Sequence, residues 1–229
     1  MAAPAAAAIV FQTPGPFGGW FGLWGADVSA SQIVGQRFVP ASDHRLTAIR
    51  VWLMDNSGSA GAPVRITLRT DGTHAGGSSI PSSTVLAEWD IGCLAAGWNP
   101  VQHSVAAAGN VTLRAATRYW VVVESTALGG FSPVWNFSSS GNAYTCIGLR
   151  TAAGEGWQAG GNGAALTLVV EGQELGPGPA DFDGNGQVDG ADLASLLGAW
   201  GPCSGCPQDL NADGVVNGAD LSLLLGSWG

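Results

Sequence analysis

The chain has 229 residues, a formal net charge of −9 and 46% hydrophobic residues. This length allows a buried core and favours one large domain or two unequal ones. The acidic balance argues against nucleic acid as a partner, because phosphate binding needs clustered basic side chains. No apolar stretch approaches the roughly 18 residues of a membrane span.

Residues 1–16 are predicted to form an N-terminal segment outside the domains. The opening Met-Ala-Ala-Pro-Ala-Ala-Ala-Ala has no basic residue and is short for a complete signal peptide. One interpretation is the remnant of a removed signal. Export is therefore inferred from other features of the chain and is not read from this segment.

Residues 17–172 alternate between short apolar or aromatic runs and turns rich in Gly, Ser, Asn and Pro, which is typical of strands. The candidate strands are residues 33–39, 46–54, 63–70, 85–91, 100–105, 118–125, 133–137, 147–151 and 165–171. Their number and spacing predict a mainly β domain, a two-sheet sandwich of the jelly-roll type. Most of its tryptophans are expected in the core and in turns.

Alternation along two of these strands predicts which side chains face the core, because successive side chains point to opposite faces. The inward set is Ile49, Val51, Leu53, Val64, Ile66 and Leu68. If the two strands are neighbours, their outward side chains form one solvent face that could stack on a sugar ring and bind its hydroxyls. The candidate ligand-face residues are Arg50, Trp52, Arg65 and Arg69. The alternative is a covered Trp beside solvated arginines.

Catalytic motifs are missing from the sequence: there is no Gly-x-Ser-x-Gly elbow, no His-Glu-x-x-His and no phosphate-binding loop. Glu88 and Asp90 share one strand face, and Glu124 or Glu155 could approach them. Paired carboxylates can hydrolyse glycosides, but solvated strand acids are the ordinary explanation. The protein is therefore not expected to be an enzyme.

Residues 173–180, with Gly-Pro-Gly-Pro at 176–179, are predicted to be a linker into a second, acidic domain at 181–229. Residues 172–229 carry eight of the 17 acidic side chains and none of the eight basic ones, all of which are Arg. Clustered carboxylates repel one another without a cation, so a folded tail implies bound metal.

The acidic tail contains one 12-residue loop twice, 28 residues apart, at 181–192 and 209–220. Calcium takes six to eight oxygen ligands, which such a loop supplies from positions 1, 3, 5, 7, 9 and 12. The candidate ligands are Asp181, Asp183, Asn185, Gln187, Asp189 and Asp192 in the first loop, and Asp209, Asn211, Asp213, Val215, Asn217 and Asp220 in the second. Position 6 is Gly186 and Gly214, as expected for a sharp turn with positive φ.

The residues after each loop are repeated as well, and their spacing is that of one helix face. The repeated sets are Leu193, Leu196, Leu197 and Trp200, and Leu221, Leu224, Leu225 and Trp228. Each unit is therefore predicted to be a loop followed by a short helix, with the two tryptophans as core residues at the helix ends. Val188 and Val216 are expected to join the two loops by a short β contact.

Four cysteines allow three pairings if they are oxidised. Cys203 and Cys206 lie in the turn between the two loop-helix units, where a disulfide is predicted to clip the connection. A zinc half-site and a redox pair are the rival interpretations, but further ligands and a βαβ context are lacking. A Cys93–Cys146 bridge is the second expectation.

These repeated motifs make residues 181–229 resemble a dockerin module, the paired loop-helix domain that plugs secreted bacterial proteins into cohesin partners. The resemblance implies two bound calcium ions, an extracellular or cell-surface location and a cohesin-like or other envelope protein as partner. Positions 10 and 11 are Gly190-Ala191 and Gly218-Ala219, where cellulosomal dockerins use hydroxyl residues, and neither helix has a basic residue. The repeated Gly-Ala-Asp-Leu and closing Trp-Gly are similar to the tails of planctomycete-type secreted proteins.

Residues 17–172 resemble, in strand pattern alone, the β-sandwich domains of anchored bacterial surface proteins. The predicted function is that of a secreted, non-catalytic protein in which a calcium-dependent assembly or anchoring module carries a β-sandwich binding domain. The alternatives are a carbohydrate-binding module that captures polysaccharide and a glycan-active hydrolase.

Overall fold

The computed structural model describes residues 7–16, 25–55, 63–73, 78–126, 133–138, 146–150, 156–162, 165–176, 178–185 and 187–228. The chain forms two compact units, Met1–Gln173 and Glu174–Gly229. We call them the β unit and the loop-helix unit.

The described part of the chain is mainly β. The strands of the β unit are β1 (Ala8–Gln12), β2 (Gly25–Asp27), β3 (Ile33–Phe38), β4 (His44–Asp55), β5 (Pro63–Thr73), β6 (Ser79–Cys93), β7 (Gly97–Ala106), β8 (Thr112–Leu113), β9 (Tyr119–Ser125), β10 (Val134–Asn136), β11 (Cys146–Arg150), β12 (Gln158–Asn162) and β13 (Leu168–Glu174). The loop-helix unit contains α1 (Gly190–Gly198), β14 (Gly201–Pro202), β15 (Val215–Val216) and α2 (Gly218–Gly226).

The first sheet is organised around the long strand β4. Its order is β1-β13-β4-β10-β2, and β7 and β8 also pair with β4. The pairing of β4 with β7 is antiparallel and places Val51 opposite His103. The second sheet has the order β12-β11-β3-β9-β5-β6, and its pairs are antiparallel as well.

The inner faces of the two sheets form one hydrophobic core. All six side chains that alternation assigned to the core are at most 1% exposed, which confirms that prediction. Phe38 of β3 and Trp135 of β10 join them in the same cluster. Burying one Val, Leu or Ile side chain contributes about 1.5–3 kcal/mol, so this core is the main source of stability in the β unit.

A smaller aromatic cluster lies on the second sheet, formed by Trp120, Val122 and Trp157. Two glycines of neighbouring strands leave room for the Trp120 ring. A Cβ atom on Gly35 would lie 3.3 Å from Trp120 Cε3, and one on Gly148 would lie 3.2 Å from Trp120 Cζ3. Larger residues at either position would therefore push against the ring.

The N-terminal segment differs from the expectation that residues 1–16 lie outside the domains. Ala8 to Gln12 form an edge strand that pairs with β13. The Thr13 hydroxyl then donates a hydrogen bond to the carbonyl of Leu166 at 2.9 Å and accepts one from the N–H of Leu168 at 2.8 Å. The apolar run Ile9-Val10-Phe11 therefore contributes to the sheet, and residues 8–16 belong to the β unit.

The loop-helix unit has its own small core. Its buried side chains are Ala180, Val188, Leu196, Val216 and Leu224. Four of the five form equivalent pairs from the two repeats, with Val188 matching Val216 and Leu196 matching Leu224. One helix therefore buries its apolar side chains against the other repeat, as expected for helices too short to be stable alone.

The structure contradicts the prediction that the two repeated tryptophans are core residues. Trp200 is 51% exposed and Trp228 is 48% exposed. The helices end at Gly198 and Gly226. Trp200 and Trp228 therefore lie outside the helices, and the helical spacing that was expected to place them on the buried face does not apply to them. Leu197 and Leu225 are also about half exposed, at 51% and 52%.

The β contact in this unit also differs from the expectation that Val188 pairs with Val216. Val216 pairs instead with Gly201, and Val215 with Pro202. The segment that follows α1 therefore takes the place expected for the first loop. Among the described residues, no helix is long and apolar enough to cross a membrane.

Candidate metal centre

The first loop, residues 181–192, brings three carboxylates together. One ligand oxygen from each of Asp181, Asp183 and Asp192 lies within 4.8 Å of the others. Asp181 and Asp192 are buried, whereas Asp183 is exposed. These are positions 1, 3 and 12 of the predicted loop, so residues that are up to 11 positions apart in sequence converge on one point.

Asp192, at position 12, connects the two ends of the first loop. Its Oδ1 accepts hydrogen bonds from the N–H groups of Phe182 at 2.7 Å and Asp183 at 3.4 Å, and its Oδ2 accepts one from Asp189 at 2.9 Å. Burial opposes ionisation of this carboxyl, but these hydrogen bonds outweigh it and hold the pKa of Asp192 below its usual value. The side chain is therefore a buried carboxylate.

Asp220 has the same role in the second loop, residues 209–220. Its Oδ1 accepts from the N–H groups of Leu210 at 2.9 Å and Asn211 at 3.2 Å, and its Oδ2 accepts from Asn217 at 2.9 Å. The bond from Asn217 contributes most to lowering the pKa of Asp220, burial opposes it, and the bonds from Asn211 and Leu210 add to it. The two loops thus use backbone donors at the same three positions, 2, 3 and 9.

The side chains at positions 1, 3 and 5 of the first loop turn toward its backbone. Asp181 Oδ1 and Asp183 Oδ1 both accept from the N–H of Asn185, at 3.1 Å and 3.0 Å. Asn185 Oδ1 accepts from the N–H of Gln187 at 2.8 Å. These contacts hold three oxygen-bearing side chains on the inside of the turn.

The second loop repeats this arrangement. Asp209 Oδ1 and Asn211 Oδ1 accept from the N–H of Asp213 at 3.1 Å and 3.0 Å, and Asp213 Oδ1 accepts from Val215 at 2.9 Å. Gly214 has φ of +90°, which agrees with the turn predicted at position 6. Its counterpart Gly186 lies outside the described residues.

Position 9 of each loop is also the N-cap residue of the helix that follows. Asp189 caps α1 by accepting a hydrogen bond from the N–H of Ala191 at 2.8 Å, and Asn217 caps α2 through Ala219 at 2.8 Å. Each helix has a capping box completed by the position 12 carboxylate. Both position 12 carboxylates therefore lie in the first turn of a helix, where the helix dipole favours negative charge.

The chemistry of these donors fits a hard divalent cation. Carboxylate, amide and carbonyl oxygens are the ligands that calcium and magnesium prefer, and neither loop contains a Cys or His that would favour zinc. Calcium accepts more ligands in looser geometry than magnesium does. Among the acidic side chains that the structure describes in the two loops, those of Asp181, Asp183 and Asp192 converge on one point, and the remaining predicted ligand positions stay a prediction.

The turn between the two loops contains the predicted disulfide. Cys203 and Cys206 are bonded, with their Cα atoms 5.8 Å apart, which confirms the clip between the repeats. The Cys93–Cys146 bridge is not formed, because Cys93 is a free, exposed cysteine at the end of edge strand β6.

The four residues of the predicted sugar-binding face do not come together. Arg50 and Trp52 lie on β4 of the first sheet, whereas Arg65 and Arg69 lie on β5 of the second. The condition for a shared face, that the two strands are neighbours, is therefore not met. A chain that crosses between sheets after β4 separates residues that are close in sequence.

The three arginines of this set are all engaged with carboxylates. Arg50 contacts Glu171 at 2.5 Å, Arg65 contacts Asp90 at 2.8 Å and Arg69 contacts Glu124 at 2.5 Å. Of the acids considered for hydrolysis, Asp90 and Glu124 are thus partners of arginines on the second sheet. Glu155 lies outside the described residues.

Two features of the loop-helix unit were not predicted from the sequence. Four large apolar side chains are exposed at equivalent positions of the two repeats. The backbones of the two disulfide-bonded cysteines are hydrogen-bonded to the second loop. The repeat of Leu and Trp pointed to the first feature but was interpreted as core.

No protein-family model matches the chain, and a search of curated proteins finds no significant match.

Proposed function

We propose that residues 181–229 form a calcium-binding docking module similar to a dockerin. It attaches a jelly-roll-like β-sandwich domain to a protein partner outside the cell or at its surface. The observation that carries this proposal is the repeated acceptor pattern: two loops hold a buried position 12 aspartate on the same three backbone donors. A solvated polar turn would have no reason to repeat this pattern.

Calcium supports the docking role by fixing the helices. When bound, it supplies the positive charge that offsets repulsion among the loop carboxylates. Asp192 and Asp220 each link a loop to the first turn of its helix, so an ordered loop orients the side chains that the helix presents. The Cys203–Cys206 disulfide supports an extracellular location, because disulfides persist in oxidising compartments.

The exposed apolar side chains support a protein partner. Leu197 and Trp200 on the first repeat match Leu225 and Trp228 on the second, and all four are about half exposed. Tryptophan is prominent among the residues that dominate binding energy at protein interfaces. We call these four residues the Leu-Trp surface.

Charge indicates which kind of partner fits this surface. The loop-helix unit carries eight acidic side chains and no basic one, and two divalent cations would neutralise only half of that charge. The proposed partner is therefore a cohesin-like or other envelope protein with an apolar centre and basic side chains around it. Glycine and alanine at loop positions 10 and 11 make the Leu-Trp surface the main source of affinity.

Calcium binding is tested by isothermal titration calorimetry on the full chain. We expect two ions per chain, and one ion in each of the variants Asp183→Ala and Asp213→Ala, which remove an exposed ligand from one loop. The matched control is Asp90→Ala, which removes an exposed carboxylate of the β unit and should leave two ions. A wild-type chain without calcium binding would refute the proposal.

Docking is tested with the full chain immobilised in calcium or in chelator and exposed to purified cohesin domains and basic envelope proteins. We expect binding in calcium alone and its loss in a Trp200→Ala/Trp228→Ala variant that still binds two ions. Trp52→Ala in the β unit is the control and should bind like the wild type. Binding that survives both the chelator and the double substitution would contradict the docking role.

A further inference from the structure

We infer that the Cys203–Cys206 disulfide is a positioning element for the second loop, and that it raises the calcium affinity of that loop but not of the first. This inference rests on the proposed function, since it concerns the same cation sites. The disulfide ring lies in the connection between α1 and the second loop.

Both cysteines are hydrogen-bonded to the second loop through their backbones. The N–H of Cys203 donates to the carbonyl of Gly214 at 2.8 Å, and the carbonyl of Cys206 accepts from the N–H of Asp209 at 3.2 Å. Asp209 is position 1 of the loop and Gly214 is position 6. The disulfide therefore links the two cysteines that contact the loop backbone at positions 1 and 6, a stretch that includes the ligand positions 1, 3 and 5.

Strand pairing continues this support to position 7. Pro202, next to Cys203, pairs with Val215, and Gly201 pairs with Val216. Val215 is the residue whose carbonyl is the predicted ligand at position 7, and Val216 is fully buried in the core of the unit. Fixing Cys203 thus limits the movement of the backbone that carries this ligand.

The first loop has the corresponding turn without the covalent link. The N–H of Asp181 donates to the carbonyl of Gly178 at 3.0 Å, and Gly178 lies in the Gly-Pro stretch with no cysteine near it in sequence. The first loop instead has more charge, because its position 9 is Asp189 where the second loop has Asn217. One loop therefore attracts the cation with four carboxylates, and the other, with three, has a preorganised backbone.

Reduction offers a way to remove the support without changing the sequence. A small dithiol exchanges with the bond: Cys203 and Cys206 become two thiols, and the dithiol is oxidised to its cyclic disulfide. No ligand of either loop is altered by this exchange. The backbone contacts of Cys203 and Cys206 then have to hold without the ring that kept them together.

The test reads each loop separately in the full chain by calcium titration calorimetry. In Asp183→Ala the titration measures calcium binding to the second loop, and in Asp213→Ala it measures calcium binding to the first. In the Asp183→Ala background, adding Cys203→Ser/Cys206→Ser should weaken calcium binding about threefold to tenfold, the effect of one net hydrogen bond. In the Asp213→Ala background the same pair of substitutions should change the affinity less than about twofold.

A dithiol added to the Asp183→Ala protein should weaken binding by the same factor, which separates loss of the bond from an effect of serine. Cys93→Ser is the control for the free thiol and should change nothing. Equal weakening in both backgrounds would show that the disulfide merely stabilises the whole unit and would overturn the inference, as would no change in the second loop. If neither loop binds calcium with the disulfide intact, the proposed function itself fails.

Discussion

Asp192 and Asp220 are short side chains that each organise a whole loop. With both oxygens occupied by backbone N–H groups from the start and the end of the loop, each carboxylate closes a ring of hydrogen bonds. Aspartate at position 12 therefore stabilises the loop conformation and is also a candidate ligand.

Charge pairs in the β unit show a second kind of residue effect. Arg65 Nε donates to Asp90 Oδ1 at 2.8 Å and its Nη2 donates to Asp90 Oδ2 at 3.2 Å. The hydrogen bond from Arg65 is the main cause that holds the pKa of the Asp90 carboxyl below its usual value. Because both side chains are well exposed, the pair contributes little to stability.

We predict that Asp90 titrates below the value of about 3.9 that is usual for Asp, and that Arg65→Gln moves its pKa upward. The carboxylate form is favoured in the folded state, so the contribution of the pair is fully present above that usual value and is lost as the pH falls through the lower folded value. Carbon-detected NMR of the Asp90 carboxyl measures both values. Arg118 contacts Asp71 instead, so Arg118→Gln is the control and should leave the pKa of Asp90 unchanged. An unchanged Asp90 pKa in Arg65→Gln would disprove this account.

At the scale of elements, α1 and α2 show how little of a short helix a small unit can bury. Each helix has nine residues, and Leu196 and Leu224 are its fully buried leucines. The neighbouring Leu197 and Leu225 lie about 100° around the helix and remain half exposed. Leucines with adjacent sequence numbers therefore have different roles, one in folding and one in the proposed docking.

This difference predicts unequal effects of matched substitutions. Leu196→Ala removes a core side chain and should destabilise the loop-helix unit by about 2–5 kcal/mol, enough to unfold so small a unit. Leu197→Ala should change its stability by no more than about 0.5 kcal/mol. Thermal unfolding of the full chain at saturating calcium, followed by circular dichroism at 222 nm, measures both, and equal losses would contradict the assigned burial.

Strands of the β unit were predictable where they are long and alternating. Each of the nine candidate strands overlaps a strand of the structure. Strands β1, β2, β8 and β12 were not predicted, and they are short or rich in Gly and Ala. Such segments are strands because a neighbour offers free backbone donors and acceptors, as β13 does for β1, and no local pattern records that neighbour.

At the scale of the whole molecule, the chain consists of two units with separate cores. The β unit has a large apolar core between two sheets, whereas the smaller unit concentrates the acidic side chains. The two units should therefore respond differently to a cation. A ligand that binds only the folded form of one unit stabilises that unit by mass action and leaves the other unaffected.

We predict two unfolding transitions in differential scanning calorimetry of the full chain. At a calcium concentration 100 times the dissociation constant, each filled site adds about 2.7 kcal/mol to the loop-helix unit, so the transition of that unit should move to higher temperature. The transition of the β unit should stay in place, and chelator should reverse the shift. Magnesium at the same concentration is the comparison, and a calcium-induced shift of both transitions would refute the assignment.

The sequence alone determined the features that depend on local spacing. Period-two alternation placed the core side chains of β4 and β5. The duplicated spacing located both loops, because the aspartate at position 12 closes each 12-residue turn on backbone donors of the same turn. The Cys203–Cys206 disulfide followed from the same short range. Its pairing needs only a turn of four residues.

Tertiary structure decided everything that depends on which elements become neighbours. It separated Arg50 and Trp52 from Arg65 and Arg69 by placing β4 and β5 in different sheets, and it paired β15 with β14 in place of the first loop. It also left Trp200 and Trp228 exposed, because the helices end before them. Burial and pairing arise from contacts between distant segments, and a local pattern states only which side chains could take part.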